Sequence, residues 1–185
     1  SSDVCSSDLK KIASNLNDGE IIGWFQHGFE YGPRALGARS ILVKPTDIGT
    51  HEILNSRLNR YELMPFAPIV MEEFFDNIFT SSKSKYSAEF MTICYSTKEE
   101  WIEKIPAVIQ KSDKTARPQI VKKENNFMFW QILNEYHKIS GIPVLLNTSF
   151  NIHNEPIIDN PKDAFIALNR GIIDKLVIGN YAYTN

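Results

Sequence analysis

Five short apolar runs of strand length set the strongest limit on how this chain can fold. They span residues 21–25, 41–43, 69–71, 143–146 and 176–178. Segments with helical spacing or helix caps occur near them, at residues 10–16, 46–58, 126–140 and 160–169. Apolar runs this short are typical of strands that are buried on both faces. Strands mixed with helices predict an α/β or α+β domain, with a twisted mixed β-sheet flanked by helices.

Weaker patterns assign the remaining segments. Residues 90–95, 107–110 and 119–121 are also strand-like, and the Ser- and Lys-rich residues 77–88 predict a mobile loop. Thr97 and Glu100 have the spacing of a capping box ahead of a short helix. Gly141 is expected to end the helix at residues 126–140.

The composition excludes several classes of protein. The 185 residues have 43% hydrophobic content, enough for one core, and 20 Lys plus Arg against 22 Asp plus Glu give a net charge of -2. A general nucleic-acid binder would carry a basic excess. No apolar run approaches the roughly 20 residues that span a bilayer. The charge balance and the lack of such a run predict a protein that binds neither nucleic acid nor membranes. The two cysteines lack metal-binding or disulfide spacing, which predicts a cytoplasmic protein.

The first nine residues differ from the rest of the chain. They repeat Ser-Ser-Asp and show no helical or strand period, so we interpret residues 1–9 as a disordered or non-native tail. The domain is then expected at residues 10–185. Since it would begin abruptly inside a helix, we expect it to be part of a longer protein.

The glycine-rich motif at residues 28–40 is the first candidate binding site. Arg34 and Arg39 lie between two predicted strands, and Ser40 adds a hydroxyl group. Glycines allow close approach of the backbone, so backbone N–H groups and guanidinium groups could together bind a phosphate. The motif is not a Walker A loop, because Gly-Lys-Ser/Thr is absent. A glycine-rich turn with two solvated arginines is the alternative.

The second candidate follows the apolar run at residues 143–146. Asn147, Thr148, Ser149 and Asn151 place hydrogen-bonding side chains at the carboxyl end of a predicted strand, where α/β sheets usually bind ligands. Such groups suit a carbamoyl group, a ribose or a phosphate. A local turn that caps the strand is the alternative.

Further cations could complete an anion site. Lys44, Arg57 and Arg60 form one basic group, in which Arg57 and Arg60 share a helix face if the helix extends that far. Arg117 lies before a predicted strand and is followed by Pro118, which stiffens the loop. Solvated surface positions are the alternative for each. We predict no metal site, because the histidines lack paired spacing: His27, His51, His137 and His153.

Taken in order, these segments resemble one family. The matching elements are Gly23-Trp24-Phe25-Gln26, residues 32–42, Pro65-Phe66-Ala67-Pro68, Thr115-Ala116-Arg117-Pro118-Gln119, residues 146–151 with Glu155-Pro156, and Ile178-Gly179-Asn180-Tyr181. They are similar to the C-terminal region of the nodulation-factor and antibiotic O-carbamoyltransferases, a family that includes tobramycin carbamoyltransferase. Many members have Gln-Gly-Arg where this chain has Gln26-His27-Gly28, a lysine near Asn59, and an arginine where Met64 stands.

The resemblance implies a YrdC-like domain that forms carbamoyl adenylate from carbamoyl phosphate and ATP, and releases pyrophosphate. A separate N-terminal domain with an actin-like ATPase fold, which holds iron, then transfers the carbamoyl group to an acceptor hydroxyl. ATP and Mg²⁺ are expected here, and a homodimer is left open. The resemblance and the chemistry point to Arg34, Arg39 and Arg117 as catalytic. The expected ligand-binding residues are Ser40, Lys44, Arg57, Arg60, Asn147, Thr148, Ser149 and Asn151.

Three alternatives to this function stay open. A YrdC-like domain could serve as an RNA-binding module, or it could form threonylcarbamoyl adenylate. The chain could also be non-catalytic without a partner domain.

Overall fold

A computed structural model describes residues 6–60, 66–80, 84–152 and 154–184. The strands are β1 (Ile22–Phe25), β2 (Arg39–Val43), β3 (Ala67–Met71), β4 (Phe79–Thr80), β5 (Tyr95–Thr97), β6 (Thr115–Ala116), β7 (Gln119–Val121), β8 (Val144–Ser149), β9 (Lys175–Ile178) and β10 (Tyr181–Thr184). The α-helices are α1 (Ser6–Asp18), α2 (Thr50–Arg57), α3 (Phe75–Ile78), α4 (Glu99–Ile102), α5 (Phe127–Ser140) and α6 (Pro161–Asn169). Short 3₁₀ helices span Glu72–Phe74, Lys85–Phe90 and Pro106–Val108.

Seven strands form a mixed sheet in the order β10-β9-β1-β2-β8-β3-β7. The β1–β9 and β3–β7 pairs are parallel, and the other neighbours are antiparallel. A small antiparallel sheet contains β4, β5 and β6. The mixed sheet flanked by helices confirms the fold class that the sequence predicts.

Both faces of the large sheet are covered. Along β1 and β2 the side chains alternate, so Trp24 and Leu42 face the core that includes α1 and α5, whereas Phe25 and Ile41 face the core that includes α2 and α6. Buried apolar residues on both faces explain why the strands appear as short continuous apolar runs.

Helix α5 is capped at both ends and helix α6 at its start, and the sequence predicts the caps at Gly141 and Asn160. The Asn126 side chain accepts a hydrogen bond from the Phe129 N–H at the start of α5, and Gly141 ends this helix with a φ of 74°. Asn160 caps α6 in the same way through the Asp163 N–H.

The amino-terminal helix begins earlier than expected. Helix α1 starts at Ser6, within the predicted tail, and Leu9 is buried against the sheet. Residues 6–8 have little apolar content, but they form the first turn of a helix in which Leu9 is buried. Residues 1–5 lie outside the described residues.

Two predicted strands and one predicted cap are wrong. Residues 90–95 supply only the first residue of β5, because a 3₁₀ helix occupies Lys85–Phe90 and Met91 has a φ of 52°. A 3₁₀ helix also spans Pro106–Val108, where proline favours a helical first turn over a strand. Thr97 lies in β5, and Lys98 precedes α4 without a side-chain cap.

Two other segments differ from expectation in their extent. The predicted loop at residues 77–88 contains the end of α3 and all of β4, with Ile78, Phe79 and Ala88 buried, while residues 81–83 lie outside the described residues. Helix α2 begins at Thr50 because Asp47 accepts from the Gly49 N–H in the turn before it.

Strand directions assign the predicted motifs to one edge of the large sheet, which we call the motif edge. Strands β1, β8 and β9 end there, and β2, β3 and β7 begin there, as the parallel and antiparallel pairings require. The residues at these positions are Phe25, Ser149, Ile178, Arg39, Ala67 and Gln119. The other ends of the same strands form the opposite edge. In the described part of the chain, no helix is long and apolar enough to cross a membrane.

Candidate functional site

The loop at residues 26–38 leaves β1 and returns to β2 at the motif edge. Gly32 and Gly37 have φ values of 104° and 108°, which side chains rarely tolerate. A Cβ atom on Gly37 would lie 2.7 Å from the Phe129 ring, so this position also needs glycine for packing. The Trp24 indole N–H donates to the Gly37 carbonyl at 3.0 Å and fixes the loop to the core.

Glu30 organises the returning half of this loop. Its Oε1 accepts from the backbone N–H groups of Leu36 at 2.9 Å, Ala38 at 2.6 Å and Arg39 at 2.9 Å. The sequence suggests that backbone N–H groups of the motif bind phosphate, but these three already have a carboxylate partner. Glu30 was not singled out from the sequence, although an acidic residue within a glycine- and arginine-rich loop is a usable signal.

Arg39 is buried and braces the ends of the loop. Its Nη1 donates to the carbonyls of Gln26 at 2.7 Å, His27 at 3.3 Å and Ala38 at 3.1 Å. The guanidinium carbon lies 3.5 Å from the centroid of the Phe25 ring. Burial lowers the pKa of Arg39, while the nearby carboxylate of Glu30 opposes that shift.

Arg34 and Arg117 come from two segments that meet where the Gln119 side chain donates to the Leu36 carbonyl at 2.9 Å. Arg34 is exposed on the loop, and Arg117 is half-buried just before β7. Burial lowers the pKa of Arg117, and the like charge of Arg34 lowers it further. Within the described ranges, no salt bridge joins either arginine to a carboxylate. Two neighbouring, unneutralised guanidinium groups form a site suited to a multiply charged anion.

Arg60 contacts the carboxyl end of β8. Its Nη1 donates to Thr148 Oγ1 at 2.9 Å, and its Nη2 lies 3.5 Å from Ser149 Oγ. The guanidinium carbon lies 5.8 Å from the centroid of the Phe66 ring, and burial lowers the pKa of Arg60. The structure therefore brings together two segments that are far apart in the sequence.

Asn147 and Gln119 hold the loop from the neighbouring strands. The Asn147 side-chain amide donates to the Ala35 carbonyl at 2.9 Å and to Gln119 Oε1 at 3.2 Å. Gln119 in turn donates to the Leu36 carbonyl at 2.9 Å. Gln119 belongs to a motif that the sequence identifies, but its side chain could not be paired with the loop without the fold.

Asn151 shapes the chain after β8. Ser149 Oγ donates to Asn151 Oδ1 at 2.5 Å, and the Asn151 amide donates to the carbonyls of Ile152 at 3.1 Å and Glu155 at 2.8 Å. The local turn considered as an alternative is therefore present, and it begins at the end of β8.

Buried polar atoms without a protein partner concentrate at this edge. Among the described residues there are seven such side-chain atoms, and five of them belong to motif-edge residues. These five are Glu30 Oε2, Arg39 Nε, Ser40 Oγ, Arg117 Nε and Asn147 Oδ1. An unpaired buried polar atom costs free energy, so such a concentration is typical of a functional site.

Two predicted ligand-binding residues lie at the opposite edge. Lys44 follows the end of β2, and Arg57 pairs with Asp174 at 2.6 Å. The second oxygen of Asp174 accepts from the Ile21 N–H at 2.8 Å, just before β1. Helix α2 ends at Arg57, so Arg60 lies beyond it and reaches the motif edge instead. The structure does not bring Lys44 or Arg57 together with the other candidates.

A family model described as the carbamoyltransferase C-terminus matches residues 13–185. The chain belongs to this family. The nodulation protein NolNO of Sinorhizobium fredii is 37% identical over 178 residues, which cover 96% of this chain and 26% of that protein. An uncharacterised protein of Methanocaldococcus jannaschii is 41% identical over 175 residues, which cover 94% of this chain and 33% of that protein. This carbamoyltransferase domain thus spans about a quarter to a third of the length of these relatives, and the family resemblance is confirmed.

Two solved structures share the fold of the carbamoyltransferase domain. Full-length HypF, in its phosphate- and nucleotide-bound form, has a TM-score of 0.69 at 19% identity, covering 93% of this chain and 25% of HypF. YciO of E. coli has a TM-score of 0.65 at 9% identity, covering 97% of this chain and 88% of YciO. These likenesses confirm the YrdC-like fold.

Proposed function

We propose that this domain forms carbamoyl adenylate from carbamoyl phosphate and ATP at the motif edge. The observation that carries the proposal is the pair Arg34 and Arg117, whose segments meet at the hydrogen bond between Gln119 and Leu36 and for which no carboxylate partner is described. Membership of the carbamoyltransferase family identifies the carbamoyl group as the group that reacts. The fold shared with HypF, which was solved with phosphate and nucleotide bound, supports the choice of substrates.

The proposed reaction has two steps, and each acts on a highly charged anion. Water attacks the phosphorus of carbamoyl phosphate and the bond to the carbamoyl oxygen breaks, which leaves phosphate, carbamate and a proton. A carbamate oxygen then attacks the α-phosphorus of ATP, the bond to the bridging oxygen breaks, and pyrophosphate leaves. Both steps require cationic groups that are already in place when charge develops.

The residues of the motif edge divide these tasks in the proposal. Arg34 and Arg117 neutralise the reacting phosphates, while Arg60 with Thr148 and Ser149 orients the carbamate. The proposed role of Arg39 is to brace the loop, because its Nη1 already has three backbone partners.

The remaining predicted residues support the same edge. Asn147 positions the loop and Asn151 orients Ser149, while the buried Ser40 Oγ has no protein partner, and a ligand is proposed to supply one. Lys44 and Arg57 are left out of the proposed site, because they lie at the opposite edge.

Mg²⁺ fits this site as an ion held mainly by the nucleotide. Within the described residues, no group of three or more His, Cys, Asp or Glu side chains could hold a metal ion. Mg²⁺ commonly uses substrate phosphates and few protein ligands, and it would add positive charge at the leaving pyrophosphate.

Transfer of the carbamoyl group to an acceptor hydroxyl is proposed for another part of a longer protein. The carbamoyltransferase domain covers only 26% of NolNO, so most of that relative lies outside the matched region. An iron-holding domain with an actin-like ATPase fold is the expected partner.

Exchange of labelled pyrophosphate into ATP tests the formation of carbamoyl adenylate. The full chain is expected to catalyse exchange only when carbamoyl phosphate is present, and Arg34→Ala should lower the rate about 100-fold, because one preorganised charge is lost. Lys138→Ala removes an exposed cation near the end of α5 and should leave the rate unchanged. A folded chain that neither exchanges pyrophosphate nor binds ATP would contradict the proposal.

A further inference from the structure

The carboxylate of Glu30 lies within the loop at residues 26–38. Three backbone N–H groups converge on its Oε1, and the shortest of these hydrogen bonds is 2.6 Å. Converging backbone N–H groups are a common protein site for anions. In this loop the anion is a side chain of the same loop, so these donors hold the loop together and do not face a ligand.

We propose that Glu30 is a positioning residue, which fixes the loop so that Arg34 is held beside Arg117. This inference rests on the proposed function, because it concerns the anion site that the two arginines form. Glu30 touches neither arginine side chain in the proposal. It acts through the backbone that carries Arg34.

The backbone after Arg34 is fixed from two sides. Glu30 accepts from the N–H of Leu36, two residues after Arg34. Asn147 and Gln119 donate to the carbonyls of Ala35 and Leu36. The N–H side of this short stretch therefore depends on Glu30, whereas its carbonyl side depends on the neighbouring strands.

The negative charge of Glu30 also offsets the positive charges around the loop. Arg34, Arg39 and Arg117 place three positive charges near the loop, and like charges repel. Glu30 accepts from the Arg39 backbone N–H at 2.9 Å, and its carboxylate opposes the lowering of the Arg39 pKa by burial. A fixed internal carboxylate thus lowers the electrostatic cost of holding the arginines together before an anionic substrate binds.

A double-mutant cycle with Arg34 tests this role. Glu30→Ala should lower carbamoyl-phosphate-dependent pyrophosphate exchange about 30-fold, because small misplacements of a catalytic group can cost up to about 100-fold. In an Arg34→Ala background the same change should cost less than about threefold, since the group that Glu30 positions is gone. Glu30→Gln keeps an oxygen that accepts hydrogen bonds, and should retain at least about a third of the rate.

Asp174→Ala is the matched control. Asp174 also accepts from a backbone N–H and lies near an arginine, but at the opposite edge. Its removal should lower the melting temperature as Glu30→Ala does. The exchange rate per folded molecule, with or without Arg34, should stay unchanged.

Two results would overturn the role of Glu30. One is a cycle in which the Glu30→Ala and Arg34→Ala effects multiply, which would make Glu30 a purely structural residue. The other is tighter binding of inorganic pyrophosphate by Glu30→Ala in calorimetry, which would make Glu30 a plug in the anion site. Absence of exchange in the unmutated chain would instead contradict the proposed function, so the two failures are distinguishable.

Discussion

The two edges of the large sheet differ in how many of their cations are paired with a carboxylate. At the opposite edge, Arg57 pairs with Asp174 at 2.6 Å, and Lys175 pairs with Glu20 at 3.3 Å. At the motif edge, Arg34, Arg60 and Arg117 form no salt bridge with any carboxylate in the described ranges. Paired charges satisfy each other within the fold, whereas unpaired ones must be satisfied by solvent or a ligand.

The same contrast appears in the hydrogen bonding of side-chain oxygen atoms at the two edges. At the opposite edge, both oxygens of Asp174 have partners. At the motif edge, Ser40 Oγ and Asn147 Oδ1 are buried without one. The edge where we propose that the reaction occurs therefore destabilises the fold, and the contacts at the other edge stabilise it.

Removing both unpaired arginines gives the largest expected effect. In the Arg34→Ala/Arg117→Ala variant, exchange should fall about 1,000-fold, because both charges act on the same phosphates. The melting temperature should be unchanged or slightly higher, since a repulsive pair is lost. Exchange kinetics and thermal unfolding measure the two effects. A large drop in the melting temperature would show that the two arginines stabilise the fold, as the paired charges at the opposite edge do.

Removing the paired carboxylate at the opposite edge should have the reverse effect. Asp174→Ala leaves the half-buried Arg57 and the Ile21 N–H without their partner, so the free energy of unfolding should fall by about 2 kcal/mol. Urea unfolding followed by circular dichroism measures this change. A loss below about 0.5 kcal/mol would mean that the opposite edge does not depend on its ion pair.

The sequence predicts the contents of the site better than its arrangement. The strands, the glycine-rich motif and the polar end of β8 are all visible as local patterns. The edge on which a residue lies is not, because it depends on strand direction. Ser40 and Lys44 are four residues apart, yet they lie at opposite ends of β2. The role of Glu30 could not be predicted from the sequence, because its partners are backbone N–H groups whose positions depend on the fold.

Misassigned strands have a similar cause. Residues 107–109 are apolar and buried, but this segment forms a 3₁₀ turn and extended chain with no strand partner among the described residues. An apolar run predicts that a segment is buried, but it does not determine which groups its backbone hydrogen-bonds to. Pairing comes from the rest of the fold, so only long-range information separates such a segment from a strand.

The smallest expected effect concerns a carboxylate beside Arg117 that has local partners. Asp113 lines a cavity of about 270 Å³ together with Arg117, and it accepts hydrogen bonds from the backbone N–H and the hydroxyl of Thr115. These bonds, led by the backbone one, hold the pKa of Asp113 below its usual 3.8. The folded state thus favours the ionised form. Its stabilising contribution should be complete above pH 3.8 and be lost as the pH falls through the lowered value.

Asp113→Asn tests this contribution through the pH dependence of unfolding. Below pH 3.8, the unfolding free energy of the variant should fall slightly less with decreasing pH than that of the unmutated chain. Near neutral pH, the unfolding free energies of both should depend on pH equally. Urea unfolding at a series of pH values measures both slopes. If the unfolding free energies of the variant and the unmutated chain fell equally in acid, the hydrogen bonds from Thr115 would contribute nothing to stability. Pyrophosphate exchange at neutral pH should not change, because Asp113 is satisfied by its own turn and leaves Arg117 free for an anion.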